Sequence, residues 1–347
     1  MRAARYHGVR DVRIEELPDP EPGEGQVLVR VAHNGICGSD LHEYYSAPTF
    51  VPIEPHPQTG VSAPVVLGHE FAGTVTEAGA GVDADLVGRN VAARPAYTCG
   101  TCAACKRGLP NICRVLAFHG LSGPGGGLSE LTVLPVDMVH PLPDSVSLEL
   151  GALVEPMAVG HAAVNRVPFD RGDLAMIVGA GPIGIGLWFA LKARGHDNVL
   201  VSETSPERRA AITKLGAQHV IDPRSTDLDA AVAELSNGNG AAVVFDAAGV
   251  GAAIGDSVPL MAPRGSILVV GIHEEPHDFN PTSLLLQEVA VIGSLIYTAA
   301  DYDAVIADMA AGVYDTTGWV DHTGLDNLVN SYDELRAGRR MKILVDL

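Results

Sequence analysis

The sequence predicts an α/β protein in two parts: a doubly wound parallel-sheet domain, and a β-rich domain that the chain leaves and later re-enters. Three observations carry this expectation. From about Val154 the pattern alternates strand and helix, the rhythm of a parallel sheet covered on both faces. A glycine-rich turn, Gly179-Ala180-Gly181-Pro182-Ile183-Gly184, joins the first strand of that alternation to its first helix. The closing stretch Lys342-Ile343-Leu344-Val345 reads as an apolar strand that pairs most easily with the N-terminal half. The expected limits are residues 1–155 and 294–347 for the β-rich part and 156–293 for the parallel sheet.

In the first part, Gln26–Ala32 alternates in character as a strand, and Pro18–Gly25 is a turn-rich connection. Residues 1–42 as a whole read as short strands. Glu43–Leu67 contains five prolines and little periodicity, a long loop of the kind that usually carries function. Strands resume at Glu70–Glu77 and Val87–Ala93, and a cysteine-rich lobe, a glycine-rich turn at Gly120–Gly127 and a strand at Ser129–Val133 follow.

In the second part, Leu174–Val178 is a strand, and the helix after the glycine turn runs to about Arg194, with Gly195 as its stop. Asn198–Val201 is the next strand. Ser205 is placed to cap a helix that Pro206 begins and Gly216 ends. His219–Ile221, Ala242–Phe245 and Ser266–Val270 supply further strands.

Gross composition narrows the function. A chain of 347 residues that is 47% hydrophobic has the material for about two domains with real cores. A formal charge of −19 argues against nucleic acid, whose phosphates it would repel. No apolar run reaches the roughly 18 residues of a membrane span, and Met1–Arg5 opens no secretory h-region. A cytoplasmic protein with no membrane partner is expected.

The glycine turn points to a dinucleotide. Gly179 permits the turn, Gly181 lets the backbone approach a pyrophosphate, and Gly184 lets helix pack on strand. Pro182 and Ile183 open a helix whose free N–H groups favour phosphate. Glu203, 24 residues after Gly179, can accept from both ribose hydroxyls and would repel a 2′-phosphate, which favours NAD over NADP. Arg208 and Arg209 pull the other way, because a nearby arginine can host that phosphate.

The five cysteines describe two metal sites of different kinds. Cys99, Cys102, Cys105 and Cys113 form a C-x2-C-x2-C-x7-C run, which suits one closed tetrahedral Zn²⁺. Disulfides fit poorly where no secretory signal precedes the run. Cys37 stands apart, in Gly35-Ile36-Cys37-Gly38-Ser39-Asp40-Leu41-His42, with His69, Glu70 and Glu155 as companions. A mixed Cys/His/Glu set is what a catalytic zinc with an exchangeable position needs. His69 and Glu70 are adjacent, so on an extended segment one ligates and the other completes the shell or lies behind it. Glu155 either reaches the metal or caps a helix begun by Pro156.

These elements, in this order, resemble the zinc-dependent medium-chain alcohol dehydrogenases along essentially the whole chain. Glu155-Pro156, His56-Pro57-Gln58-Thr59-Gly60 and Phe118-His119-Gly120 are similar to the polyol and vicinal-diol branch, of the butanediol dehydrogenase type. The resemblance implies a GroES-like catalytic domain and a Rossmann NAD(H)-binding domain. It implies that Cys37, His69 and Glu155 hold the catalytic zinc and that Glu70 trades intermittently with water. Ser39 would take the substrate proton and His42 would carry it outward. The implied substrate is a vicinal diol or hydroxyketone, and the implied assembly a homodimer or homotetramer. Sorbitol, glycerol or threonine dehydrogenases would share these parts, whereas an NAD-binding redox sensor would have lost a ligand or a motif glycine. Gln58, where that branch usually carries an apolar residue, and Arg94-Pro95, where an acidic residue usually precedes the proline, depart from the pattern.

Overall fold

Backbone sterics at the glycine turns and the reach of apolar strands settle where this chain changes direction. The computed structural model describes residues 1–347 except Ala47, Thr49 and Phe279, and the side chain of Ala252. The chain begins with an antiparallel pair, β1 (Arg2–Gly8) and β2 (Asp11–Glu16). The next strand, β3 (Gln26–Gly35), buries Val27, Val29 and Val31 on alternate positions. The strand character expected through residue 42 stops there, because helix α1 (Gly38–Tyr45) intervenes. Its start is fixed by the Cys37 N–H, which donates to Asp40 Oδ2 at 2.9 Å.

The proline-rich segment holds one short strand, β4 (Val65–Val66), beside β1. It is anchored: Val51 and Val65 are buried in a core with Tyr6, Leu67, Leu128 and Tyr332. Strands β5 (Glu70–Ala78) and β6 (Asn90–Ala93) follow, then the short pair β7 (Ala96–Tyr97) and β8 (Ala117–Phe118). The cysteine lobe, with helix α2 (Ala103–Lys106), lies between the members of that pair. Strands β9 (Leu131–Pro135) and β10 (Val139–Pro141) complete the first pass. A second core gathers Val27, Phe71, Val91 and Leu134 from β3, β5, β6 and β9.

Helix α3 (Leu148–Val164) rules out the alternative in which Glu155 caps a helix begun by Pro156, since Pro156 lies inside it. Burial explains the longer helix: Ala152, Leu153, Val154 and Met157 are all within 1% of fully buried. The Ser147 hydroxyl accepts the Leu150 N–H at 3.2 Å and caps it.

The parallel sheet then alternates as expected: β11 (Ala175–Val178), α4 (Pro182–Ala193), β12 (Val199–Ser202), α5 (Pro206–Lys214), β13 (His219–Ile221) and α6 (Leu228–Leu235). The series continues with β14 (Ala241–Asp246), α7 (Gly251–Ser257), β15 (Met261–Val269), α8 (Thr282–Gln287) and β16 (Ala290–Gly293). The strand order is β13-β12-β11-β14-β15-β16, parallel at every pairing. This is a doubly wound sheet, and the ends of the β11 and β14 strands mark the point where its winding reverses.

Helix α9 (Ala299–Ala310), β17 (Val320–Gly324), α10 (Leu328–Arg336) and β18 (Lys342–Asp346) end the chain. Strand β18 pairs antiparallel with β3 and parallel with β17, so the β-rich part is discontinuous. Two compact units result. One comprises Met1–Glu155, Thr298–Ala311 and Val320–Leu347; the other comprises Pro156–Tyr297 and Gly312–Trp319.

Candidate metal centres and dinucleotide cleft

The four lobe cysteines converge, with their sulfur atoms within 4.8 Å of one another and no disulfide among them. Cys99 and Cys113 Sγ are 3.5 Å apart. Four thiolates on one zinc at about 2.3 Å per bond stand roughly 3.8 Å apart, so the set fits. The Cys102 N–H donates to Cys99 Sγ, and the Cys99 N–H to Cys113 Sγ, each at 3.3 Å. Hydrogen bonds from Thr101 draw the Cys99 thiol down to about 6, and the Cys105 N–H lowers Cys102. Both shifts favour the thiolate that binds metal, whereas burial and the neighbouring thiols raise Cys105.

The second centre forms where β3 ends and β5 begins. Cys37 precedes α1, His69 precedes β5 and Glu70 opens it; their ligand atoms lie within 4.8 Å of one another. His69 is 4% exposed and Glu70 1%. Burial alone would lower the His69 imidazole, yet the charges of Asp40, Cys37 and Glu155 outweigh it and raise it to about 10. The clustered Cys37, His69 and Glu70 donors suit zinc. Glu155 is buried on α3 and acts on this group through its charge, whereas Glu70 stands in the tight cluster itself.

Several side chains complete the centre. Ser39 Oγ lies 3.2 Å from His69 Nε2. His42 follows Ser39 by three residues on α1 and therefore shares its face. On the other side of the ring, His69 Nδ1 has no hydrogen-bond partner and stands 3.7 Å from Asp40 Oδ1, also unpartnered and wholly buried. A carboxylate behind a ligating histidine is the usual support that fixes its orientation.

The sequence reading missed Asp40 in this role, although the Cys37-x-x-Asp40 spacing around a helix start was the available signal. It also missed Lys342. This buried lysine bonds the Glu70 carboxylate and donates to Ile36 O at 2.9 Å. Its signal was a lone charge heading an apolar strand. Gly35 permits this approach, since a Cβ there would sit 2.3 Å from Glu70 Oε2.

The proline-rich segment and the Phe118–His119 turn meet beside this centre. Thr59 Oγ1 donates to Ser122 O at 2.6 Å, and the Ser122 hydroxyl accepts the Phe118 N–H at 3.0 Å. The Phe118 ring lies edge-on to His69 with centroids 6.3 Å apart. Next to Thr59, Gln58 Oε1 is buried with no hydrogen-bond partner.

In the second unit, a cleft of about 440 Å³ opens at the C-terminal ends of the parallel strands, lined by Gly179, Gly181, Ser202, Glu203, Arg208 and Ala248 among others. Gly179 has a positive φ of 95°, and a Cβ on Gly184 would meet Gly179 O at 1.9 Å. Gly181 caps α4 and Pro182 is its first residue, with Ile183 next. The buried Glu203 carboxylate accepts the Ala180 N–H at 2.8 Å and the Ser205 N–H at 2.7 Å. It thereby fixes the glycine turn. The two arginines separate: Arg208 lines the cleft 3.9 Å from Glu203, while Arg209 is engaged by Asp222 at 3.1 Å and by the Glu203 and Thr204 carbonyls.

With both centres and the cleft in view, known proteins place the chain. Residues 23–144 match the alcohol dehydrogenase GroES-like domain, and residues 182–311 match the zinc-binding dehydrogenase family. The (R,R)-butanediol dehydrogenase of Bacillus subtilis is 38% identical over 90% of this chain and 89% of its own length. The sorbitol dehydrogenase of the same organism is 34% identical over 91% of this chain and 88% of its own. The crystal structure of 2R,3R-butanediol dehydrogenase from Bacillus subtilis superposes with a TM-score of 0.92 at 37% identity, covering 100% and 99% of the two chains. The chain belongs to the zinc-binding medium-chain alcohol dehydrogenases, with a GroES-like domain and a Rossmann-like domain. It is an alcohol dehydrogenase of the group that includes both diol and polyol enzymes. Among the described residues no helix is long and apolar enough to cross a membrane.

Proposed function

We propose that the protein interconverts a vicinal diol and a hydroxyketone, 2,3-butanediol and acetoin, with NAD(H) as hydride carrier. The observation that carries this reading is that Thr59 and Ser122 tie the proline-rich segment to Phe118, whose ring lies edge-on to His69. We read this segment, with the unpartnered Gln58 Oε1, as a polar wall for the substrate. A diol has a second oxygen for such a wall, and a simple alcohol does not. Similarity to butanediol dehydrogenases points the same way.

Cys37 and His69 would hold the catalytic zinc, with Glu155 as third ligand and Glu70 exchanging with water; bound there, zinc supplies Lewis acidity that brings a hydroxyl towards neutrality. Ser39 takes the hydroxyl proton, and His42, one helical turn on, passes it to solvent. Held in the cleft by Gly179–Gly184 and Glu203, the dinucleotide would supply the acceptor for the hydride that the carbinol carbon gives up with its electron pair. Cys99, Cys102, Cys105 and Cys113 hold a second, structural zinc. Gly179–Gly184 and Glu203 hold the dinucleotide, and the Glu203 carboxylate selects NAD over NADP. In this reading residues 1–155 and 294–347 form the catalytic domain and residues 156–293 the cofactor domain. A homodimer or homotetramer is in keeping with the exposed Leu285 and Leu286, 74% and 79% accessible beside the edge strand β16.

Steady-state kinetics with 2,3-butanediol stereoisomers, sorbitol, threonine and ethanol test the substrate. We expect 2,3-butanediol, with an R-configured carbinol, to exceed ethanol by at least tenfold in kcat/KM. Equal values for the two would return the chain to the simple alcohol branch, and a preference for sorbitol would favour the polyol reading.

A further inference from the structure

Three strands of the first unit bring two imidazoles and a carboxylate to one point outside the centres described above. Asp346 on β18 pairs directly with His33 on β3, and His322 on β17 pairs with Leu344, two residues before Asp346. Residues two apart on a strand share a face, so the register alone sets the three side chains on one side of the sheet. Their contacts are specific. His33 Nδ1 lies 2.8 Å and His322 Nδ1 2.9 Å from the same oxygen, Asp346 Oδ1. The rings meet edge to face with centroids 5.5 Å apart. The side chains are 25%, 38% and 49% exposed for His33, His322 and Asp346, so ions in solution reach them.

We propose that His33, His322 and Asp346 form a third metal site, which takes a divalent transition cation of the zinc class and completes its shell with water. Two imidazole nitrogens and one carboxylate oxygen are a donor set that suits zinc, nickel and copper rather than calcium or magnesium. With bonds of about 2.0–2.1 Å, tetrahedral donors stand roughly 3.3 Å apart. The donor atoms already lie within 4.8 Å of one another, and the N···O pairs open to that spacing by about half an ångström of side-chain rotation. The far ring nitrogen of His322, Nε2, is 3.6 Å from Glu149 Oε1. That is the carboxylate behind a ligating histidine that metal sites ordinarily employ. A net charge of −19 raises the local cation concentration. Because each strand donates one ligand, a bound ion fastens the C-terminal strand to both neighbours and stabilises the native state by mass action.

The competing account is a hydrogen-bonded cluster with no metal affinity. Isothermal titration of the intact protein, its resident zinc in place, with zinc chloride separates the two. We expect one further equivalent to bind, and added zinc to raise the unfolding temperature. In H322Q and D346N, each checked for folding by circular dichroism, the affinity of that equivalent should fall at least tenfold and the thermal shift should vanish. H33Q provides the same test should either variant fail to fold. Absence of a third equivalent in the wild type, or equal affinity in the wild type and the folded variants, would overturn the site.

Discussion

A lysine at the head of an apolar strand is tolerated only if its charge is met, and Lys342 is met by Glu70 and by Ile36 O. Both side chains of the pair are 2% exposed. Removing one partner of a buried pair strands the other, at a cost of about 3–5 kcal/mol. We therefore expect Lys342→Met to destabilise the protein by that amount in urea unfolding, and Lys342→Met with Glu70→Leu to recover part of it. A single variant as stable as the wild type would show that the pair is not a buried ionic contact. The lone charge was visible in the sequence, but its partner is 272 residues away, and no local pattern reports such a contact. Glu203 differs, because its position after the glycine turn was legible from spacing. Glu203→Ala should raise KM for NAD and narrow the preference over NADP by tenfold or more, about 1.4 kcal/mol. A native enzyme already indifferent to the two cofactors would sink that assignment.

Elements turn these residues into sites. Helix α1 sets Cys37 before its first turn and carries Ser39 and His42 one turn apart. The sequence reading extended strand over this stretch because local apolar residues resemble strand as readily as a short helix. The cysteine lobe has as its helical structure the four-residue α2 and a single 3-10 turn at Pro110–Ile112, so its metal contributes its folding energy. Cys102→Ser should lower the unfolding temperature sharply and reduce tightly held zinc from two ions per chain to one, by elemental analysis. Cys37→Ser should abolish turnover with the fold retained. Between β8 and β9, His119 is wholly buried, with its ring hydrogen-bonded to Tyr97 and Thr132. Burial depresses its pKa from 6.5 to about 3. Below pH 6.5 the unfolded chain takes up a proton that the native chain refuses. Stability from this group therefore falls as the pH drops, by about 1.4 kcal/mol per unit, until the native histidine also titrates. Urea unfolding from pH 7 to pH 4 should show this slope reduced in His119→Gln. Identical slopes would mean that His119 is not held neutral.

At the scale of the molecule, the strand–helix alternation, the glycine turn and the cysteine spacing were all legible because each depends on residues close in sequence. Periodicity, backbone freedom at Gly179 and four thiols within fifteen positions are local properties. They determined the doubly wound sheet, the dinucleotide cleft and the cysteine cluster. The extent of α3 around Pro156 was not legible, since a proline usually starts a helix and only the burial of Ala152, Leu153 and Val154 overrides it. The return of β18 was expected, but its consequences required the folded register. That register alone brings Lys342 to Glu70, and Asp346 to His33 and His322. The sequence by itself determined the chemistry this protein carries, because ligand types and turn residues are written locally. Tertiary structure decided which charges face one another, because the Lys342–Glu70 and Asp346–His33 contacts join strands hundreds of residues apart and depend on a register that no single segment encodes.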